Sequence, residues 1–212
     1  MSKILFYLTP YIIVLTFALI LGIYYALKGR RSTLPYFLPF LIYCFLIEVP
    51  LNYYLSSKFN NNGKLLSYYS FSCALFYLLQ YYHHFSNKKW NIYLLASIII
   101  FTFLSIYIFY SSSKDFETLP YLLGMGMTSV LILKYFYDIV YIDTYRSIKY
   151  EPLIYLSLGL ITFVFTTYPI ILFFDELVMN QKIDNFSTYV LRFGNIFISL
   201  AYLGVILCLR KH

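Results

Sequence analysis

Residues 39–54 read PFLIYCFLIEVPLNYY, an apolar run that holds one carboxylate, Glu48, and a proline, Pro50, two positions beyond it. A run of this kind crosses much of a bilayer. A charged group inside such a span costs ~2.5–3.5 kcal/mol on insertion scales, so it faces the protein interior and has a partner there. The stretch therefore reads as a membrane span whose acid is met by groups from other spans.

The rest of the chain supports that setting. Of its 212 residues 61% are hydrophobic and 12% charged, and the mean hydropathy is +0.71. A soluble domain carries roughly 25% charge, and a chain of this length still needs a polar surface if water surrounds it. An integral membrane protein is expected, all-α, a single transmembrane domain over residues 1–212. Each span needs ~20 apolar residues. Seven such segments occur, at approximately 4–27, 34–55, 65–85, 90–110, 121–141, 152–174 and 188–209. The first is too long for a signal-peptide core and lacks a small-residue cleavage site, so it is read as retained. Aromatic residues make up 23% of the chain; interfacial belts and a codon-biased genome both account for that. Cys44, Cys73 and Cys208 all fall within spans and match no metal spacing, which makes them small buried hydrophobes.

Loop charges set the orientation. Connections after odd-numbered spans, with the tail, hold nine bases: Lys28, Arg30, Arg31, Lys88, Lys89, Arg146, Lys149, Arg210 and Lys211. The other side holds five: Lys3, Lys58, Lys64, Lys114 and Lys182. Bases over short loops mark the cytoplasmic side. The amino terminus is expected outside and the carboxyl terminus in the cytoplasm, in the inner membrane of a bacterium. Acids lean outward, with Asp115, Glu117, Asp175, Glu176 and Asp184 there against Asp143 and Glu151 inside. The net charge of +7 thus resides on the cytoplasmic rim, which suits anionic lipid headgroups. Membrane lipids are the expected partners, and nucleic acid is not.

Depth along a helix follows from a rise of ~1.5 Å per residue, which puts Glu48 ~21 Å past Leu34, in the outer third of a ~30 Å core. Asn52 is a turn further out. Arg192 stands near the outer boundary on span seven, with Asn195 a turn deeper and Thr166 and Thr167 at a similar level on span six. Pro10, Pro50 and Pro169 share that half. A kink frees a carbonyl that hydroxyls, neighbours or water must satisfy. Glu48, Asn52, Thr166, Thr167, Arg192 and Asn195 are accordingly the candidate ligand-binding residues of an outward-facing pocket. The plainer alternative is an interhelical hydrogen-bond cluster that fastens spans two, six and seven, at ~0.6 kcal/mol per bond.

An inner polar cluster comprises Gln80, His83, Lys134 and Asp138, with His84 beside them. Lys134 and Asp138 are four apart on one face and able to pair. Either they neutralise each other or, with His83, they form a proton relay. Adjacent histidines on a helix diverge by about 100°, and neither HExxH nor a cysteine pair is present, so no metal is expected. Gly124 and Gly126 form a GxG with no preceding strand; it suits close helix approach and not a nucleotide loop. No nucleophile-elbow, kinase or P-loop motif occurs, so no catalytic residue is assigned and no cofactor is expected.

Several of these features occur together in a known group. The chain resembles a family of uncharacterised seven-span integral membrane proteins of Bacteroidota in its span-two carboxylate, Glu48, and in the tyrosine-rich start of span three, Leu66-Ser67-Tyr68-Tyr69. The proline-led span six with Pro152 and Gly159, and Arg192-Phe193-Gly194-Asn195-Ile196 followed by Tyr202, complete the likeness. It departs from the family at Cys73, where the family has a glutamate. The resemblance implies a fold and a compartment but no reaction. Two function classes follow from the residues. One is a sensor or interaction module acting through a separate signalling protein or enzyme partner, since the short loops leave no room for an output domain. The other is a small transporter or intramembrane enzyme using Glu48, Arg192 and Asn195 on an anionic or lipid-like ligand.

Overall fold

A computed structural model describes residues 10–30, 34–59, 63–85, 88–112, 117–141, 151–173 and 185–208. Among the described residues the secondary structure is helical, with no strand. The elements in order are α1 (Pro10–Leu27), α2 (Phe37–Leu46), a π-helical turn (Ile47–Leu51), α3 (Asn52–Phe59), α4 (Gly63–His84), α5 (Lys88–Ser111), α6 (Thr118–Tyr141), α7 (Pro152–Leu172) and α8 (Asn185–Cys208). Where both ends are described the helices match the expected segments to within about four residues. Residues 4–9 of the first expected span lie outside the described residues, as do many of the counted loop charges, among them Lys3, Arg31, Lys114, Asp115, Asp143, Arg146, Lys149, Asp175, Glu176, Lys182, Asp184, Arg210 and Lys211.

Among the described residues, six helical segments are long and apolar enough to cross a membrane: Pro10–Leu27, Phe37–Leu55, Trp90–Ser111, Thr118–Tyr141, Pro152–Leu172 and Tyr189–Cys208. The second runs unbroken through the π turn. The expected third span falls on a helix, α4, 22 residues long, which is not among the six because its serines, tyrosines, Gln80 and two histidines make it less apolar. The protein is a multi-pass membrane protein by the length and composition of these helices.

Their surfaces agree with that setting. α5 buries Leu94, Ile98, Phe101 and Ser105, a single stripe at helical spacing, and exposes Ile92, Tyr93, Ile99, Ile100, Phe103, Ile106 and Tyr107. α1 buries Ile12, Leu15, Ala18, Leu19 and Gly22 and exposes Ile13, Phe17 and Ile20. A helix apolar on every side belongs in a large core or in lipid. Exposed apolar faces of this extent are unstable in water.

The chain divides into two compact units, the first containing α1, α2, the π turn, α7 and α8, the second α3 to α6. In the first unit α8 is the central helix. It lies along α7 with backbones nearly touching: a Cβ on Gly159 of α7 would stand 2.2 Å from the Ala201 Cβ and 3.1 Å from the Phe197 carbonyl oxygen. Without a hydrophobic force between helices in lipid, such small-residue contact is what allows dispersion to hold them. On other sides α8 presents Ile206 to Gly22 of α1, and Tyr202 edge-on to Phe37 and Phe40 of α2, at 5.9 and 6.0 Å between ring centroids.

In the second unit α4 packs on α6. The close approach expected at Gly124 is present: a Cβ there would meet the Ala74 Cβ at 2.5 Å and Phe101 of α5 at 2.9 Å. At the α6 start the Glu117 N–H donates to the Ser67 hydroxyl at 2.8 Å, and the Ser112 hydroxyl donates to the Glu117 carboxylate. Towards the α4 end Tyr81 meets Tyr135 edge-on at 6.1 Å.

Candidate functional site

Glu48 sits on the π turn with Pro50 inside it. The cause lies in the proline: it has no N–H to donate, and its ring crowds the carbonyl four residues back. Widening the helix by one residue per turn relieves that crowding without breaking the span. The Ile47 N–H still points to the carbonyls of Tyr43 and Cys44. A kink is legible from Pro50 alone; a π turn carrying the carboxylate is not. π turns inside α-helices are frequent at functional sites. Glu48 is half-buried and Val49 beside it buried. Asn52, the first residue of α3, is half-buried and belongs to the second unit.

The remaining candidates of the outer group lie on α7 and α8. Thr167 is buried, and its hydroxyl donates to the Phe163 carbonyl at 2.8 Å. The Thr166 hydroxyl lies 2.9 Å from both the Thr162 and Phe163 carbonyls. Both threonines thus spend their donors on their own helix and keep only acceptor capacity. Gly194 of α8 packs against them: a Cβ there would lie 2.7 Å from the Thr166 Oγ1 and 2.9 Å from the Thr167 Cγ2. Gly194 falls between Arg192 and Asn195, both half-buried. The structure therefore brings Thr166 and Thr167 against the Arg192–Asn195 segment across a tight seam. The Asn195 carbonyl accepts from the Ser199 hydroxyl at 2.8 Å.

The inner cluster lies in the second unit. Lys134 and Asp138 form an ion pair one turn apart on α6, with side chains 26% and 22% exposed. Around the ammonium are three aromatic rings, Trp90 at 5.5 Å, Phe85 at 5.7 Å and Tyr137 at 5.8 Å from their centroids. Each ring face attracts a cation, so the lysine is held by one anion and a cage of quadrupoles. The cage was missed in the sequence, because Phe85 and Trp90 lie more than 40 positions before Lys134, and only Tyr137 stands near it on the same helix. Gln80 is buried. His83 is exposed and packs on Tyr82, while His84 meets Tyr135, next to Lys134, edge-on at 4.9 Å.

Among the described residues no group of three His, Cys, Asp or Glu side chains converges as a metal site. Cys44, Cys73 and Cys208 are free thiols, all buried. Compared with known protein families, with curated proteins and with solved structures, the chain matches none.

Proposed function

We propose that the chain is a seven-span protein of a bacterial inner membrane, amino terminus outside, that acts as a sensor or interaction module through a separate partner protein. α4 is the seventh span in this reading, carried across by burying Ser67, Gln80 and Tyr81 against its own unit. The observation that carries the sensing role is the π turn at Glu48. A π turn and an α turn differ by one residue of register, so converting one to the other turns the rest of the span by about 100°. A charged or lipid-like ligand that changes what Glu48 meets would bias that two-state element, and the rotation would be the signal a partner reads. Coupling of this kind needs such a discrete switch rather than mere proximity.

Reporter cysteines placed singly at position 53, half-buried, and position 54, exposed and about 100° round the helix, with the three natural cysteines replaced by alanine, test the switch. Labelling of the two sites should exchange between accessible and protected in Glu48→Gln and in Pro50→Ala relative to the parent. An unchanged pattern in both variants removes the switch. Isolation in mild detergent tests the role: a stoichiometric second polypeptide retained by the parent and lost in Glu48→Gln supports a module. A chain isolated alone with a tightly held small molecule favours a transporter or enzyme.

A further inference from the structure

The first unit contains a cavity of about 220 Å³ at the connection of α1 to α2, lined among others by Gly22, Arg30, Tyr36, Leu38 and Ile206. Its walls are set by two left-handed residues. Gly29, at φ 74, closes α1. Its N–H donates to the Ala26 carbonyl at 2.9 Å and the Arg30 N–H to the Tyr25 carbonyl at 3.0 Å, the paired bonds of a Schellman motif. That motif normally brings the residue after the glycine onto the last turn of the helix. Here the Arg30 guanidinium lies over the Tyr25 ring, 5.5 Å from its centroid, while the Lys28 ammonium lies over Tyr24 at 4.5 Å. On the α2 side Tyr36 precedes the helix at φ 57 and ψ 19. A bulky residue there is strained, and such strain gathers at ligand clamps. The floor is apolar because Leu38 and Ile206 close over position 22, which has no side chain: a Cβ there would come within 3.0 Å of Leu38 Cδ1 and 3.1 Å of Ile206 Cδ1.

We infer that this cavity holds the phosphate and glycerol region of an anionic phospholipid, with Arg30 as the phosphate partner. Three features select that ligand. Pockets for drug-sized molecules run to ~300–1,000 Å³, so this one takes only part of a molecule, the rest lying outside it. A guanidinium presents a planar fork that matches two phosphate oxygens. The floor is hydrocarbon at the end of a span, where an acyl chain begins and a free phosphate would gain nothing. Charge agrees, since no Asp or Glu precedes Glu48 in the sequence while Lys28, Arg30 and Arg31 fall together. The inference does not depend on Glu48 or its π turn.

The test is native mass spectrometry of the purified full chain, titrated with phosphatidylglycerol, phosphatidylcholine or inorganic phosphate. One phosphatidylglycerol should bind in preference to phosphatidylcholine. Arg30→Gln should weaken that binding about tenfold or more, the size of one charge-assisted hydrogen bond. Ala26→Leu, which places a larger side chain on an exposed position of the cavity wall, should weaken it while retaining Arg30, and Lys58→Gln elsewhere should leave it unchanged. Equal binding of the two lipids, or binding indifferent to both cavity variants, overturns the site. Inorganic phosphate binding as tightly as phosphatidylglycerol assigns it to a free anion and overturns the lipid.

Discussion

Replacing Gly159 with alanine adds one methyl group at the closest approach of α7 and α8. The new Cβ would stand 2.2 Å from the Ala201 Cβ, whereas ordinary contact begins at 3.4 Å. The two groups must part by about 1.2 Å, and neither can rotate away, since each methyl is fixed to its backbone. Separation of 0.5–1 Å already forfeits a quarter to a half of a dispersion contact, and in lipid dispersion is the main force along this seam. Gly159→Ala should therefore destabilise the protein by about 2–3 kcal/mol, the upper part of the range for overpacking. The partner substitution supplies the control. In Gly159→Ala combined with Ala201→Gly the methyl moves from one helix to the other. The nearest remaining atoms are then the Phe197 carbonyl oxygen at 3.1 Å and the Ala201 Cα at 3.5 Å. Most of the loss should return. Unfolding in mixed micelles of mild detergent and dodecyl sulfate, followed by circular dichroism for the parent, both single variants and the double, measures the coupling. A neutral Gly159→Ala, or a double variant whose loss is the sum of the singles, refutes the packing argument.

Other outcomes follow from the same contacts. Gly194→Ala should cost less than Gly159→Ala, about 1 kcal/mol, because the atoms it meets are the ends of two threonine side chains; the same unfolding assay ranks the pair, and a larger loss at 194 contradicts the geometry. Gly29→Ala meets nothing within 4 Å, so its cost is the left-handed backbone alone, about 1–2 kcal/mol, and Gly29→Asn should recover part of it in a thermal melt. Lys134→Met should reduce the yield of monodisperse protein by leaving Asp138 without its cation, and adding Asp138→Leu should restore it; full yield from Lys134→Met alone would mean that the ion pair contributes nothing to folding. Charge reversal at Glu48 and at Arg192 should each lower the folded yield, and the double reversal should recover it if the two side chains are coupled; additive losses separate them.

Helix positions were legible in the chain because a bilayer demands long apolar runs, and charges and turn residues punctuate them. A departure from regular α-helix at Pro50, the pairing of Lys134 with Asp138 and the close approach at Gly124 were also readable. Each rests on a short-range rule: a missing N–H, a spacing of four, a missing side chain. α4 marks the limit of hydropathy, since the helix runs 22 residues while its polar residues keep it from being apolar enough to cross a membrane by composition alone.

What required the fold is everything that depends on which helices meet. Gly159 and Ala201 are 42 positions apart, and nothing in either neighbourhood announces that their Cβ positions coincide in space. The aromatic cage around Lys134 draws two of its rings, Phe85 and Trp90, from more than 40 positions earlier in the chain. The cavity beside Arg30 owes its apolar floor to Ile206, near the far end of the chain, which closes over Gly22. Apolar composition determined that these segments enter a membrane. It could not choose their neighbours, because lipid is as apolar as leucine, and the choice falls to small differences in shape that appear only when helix surfaces are set against one another.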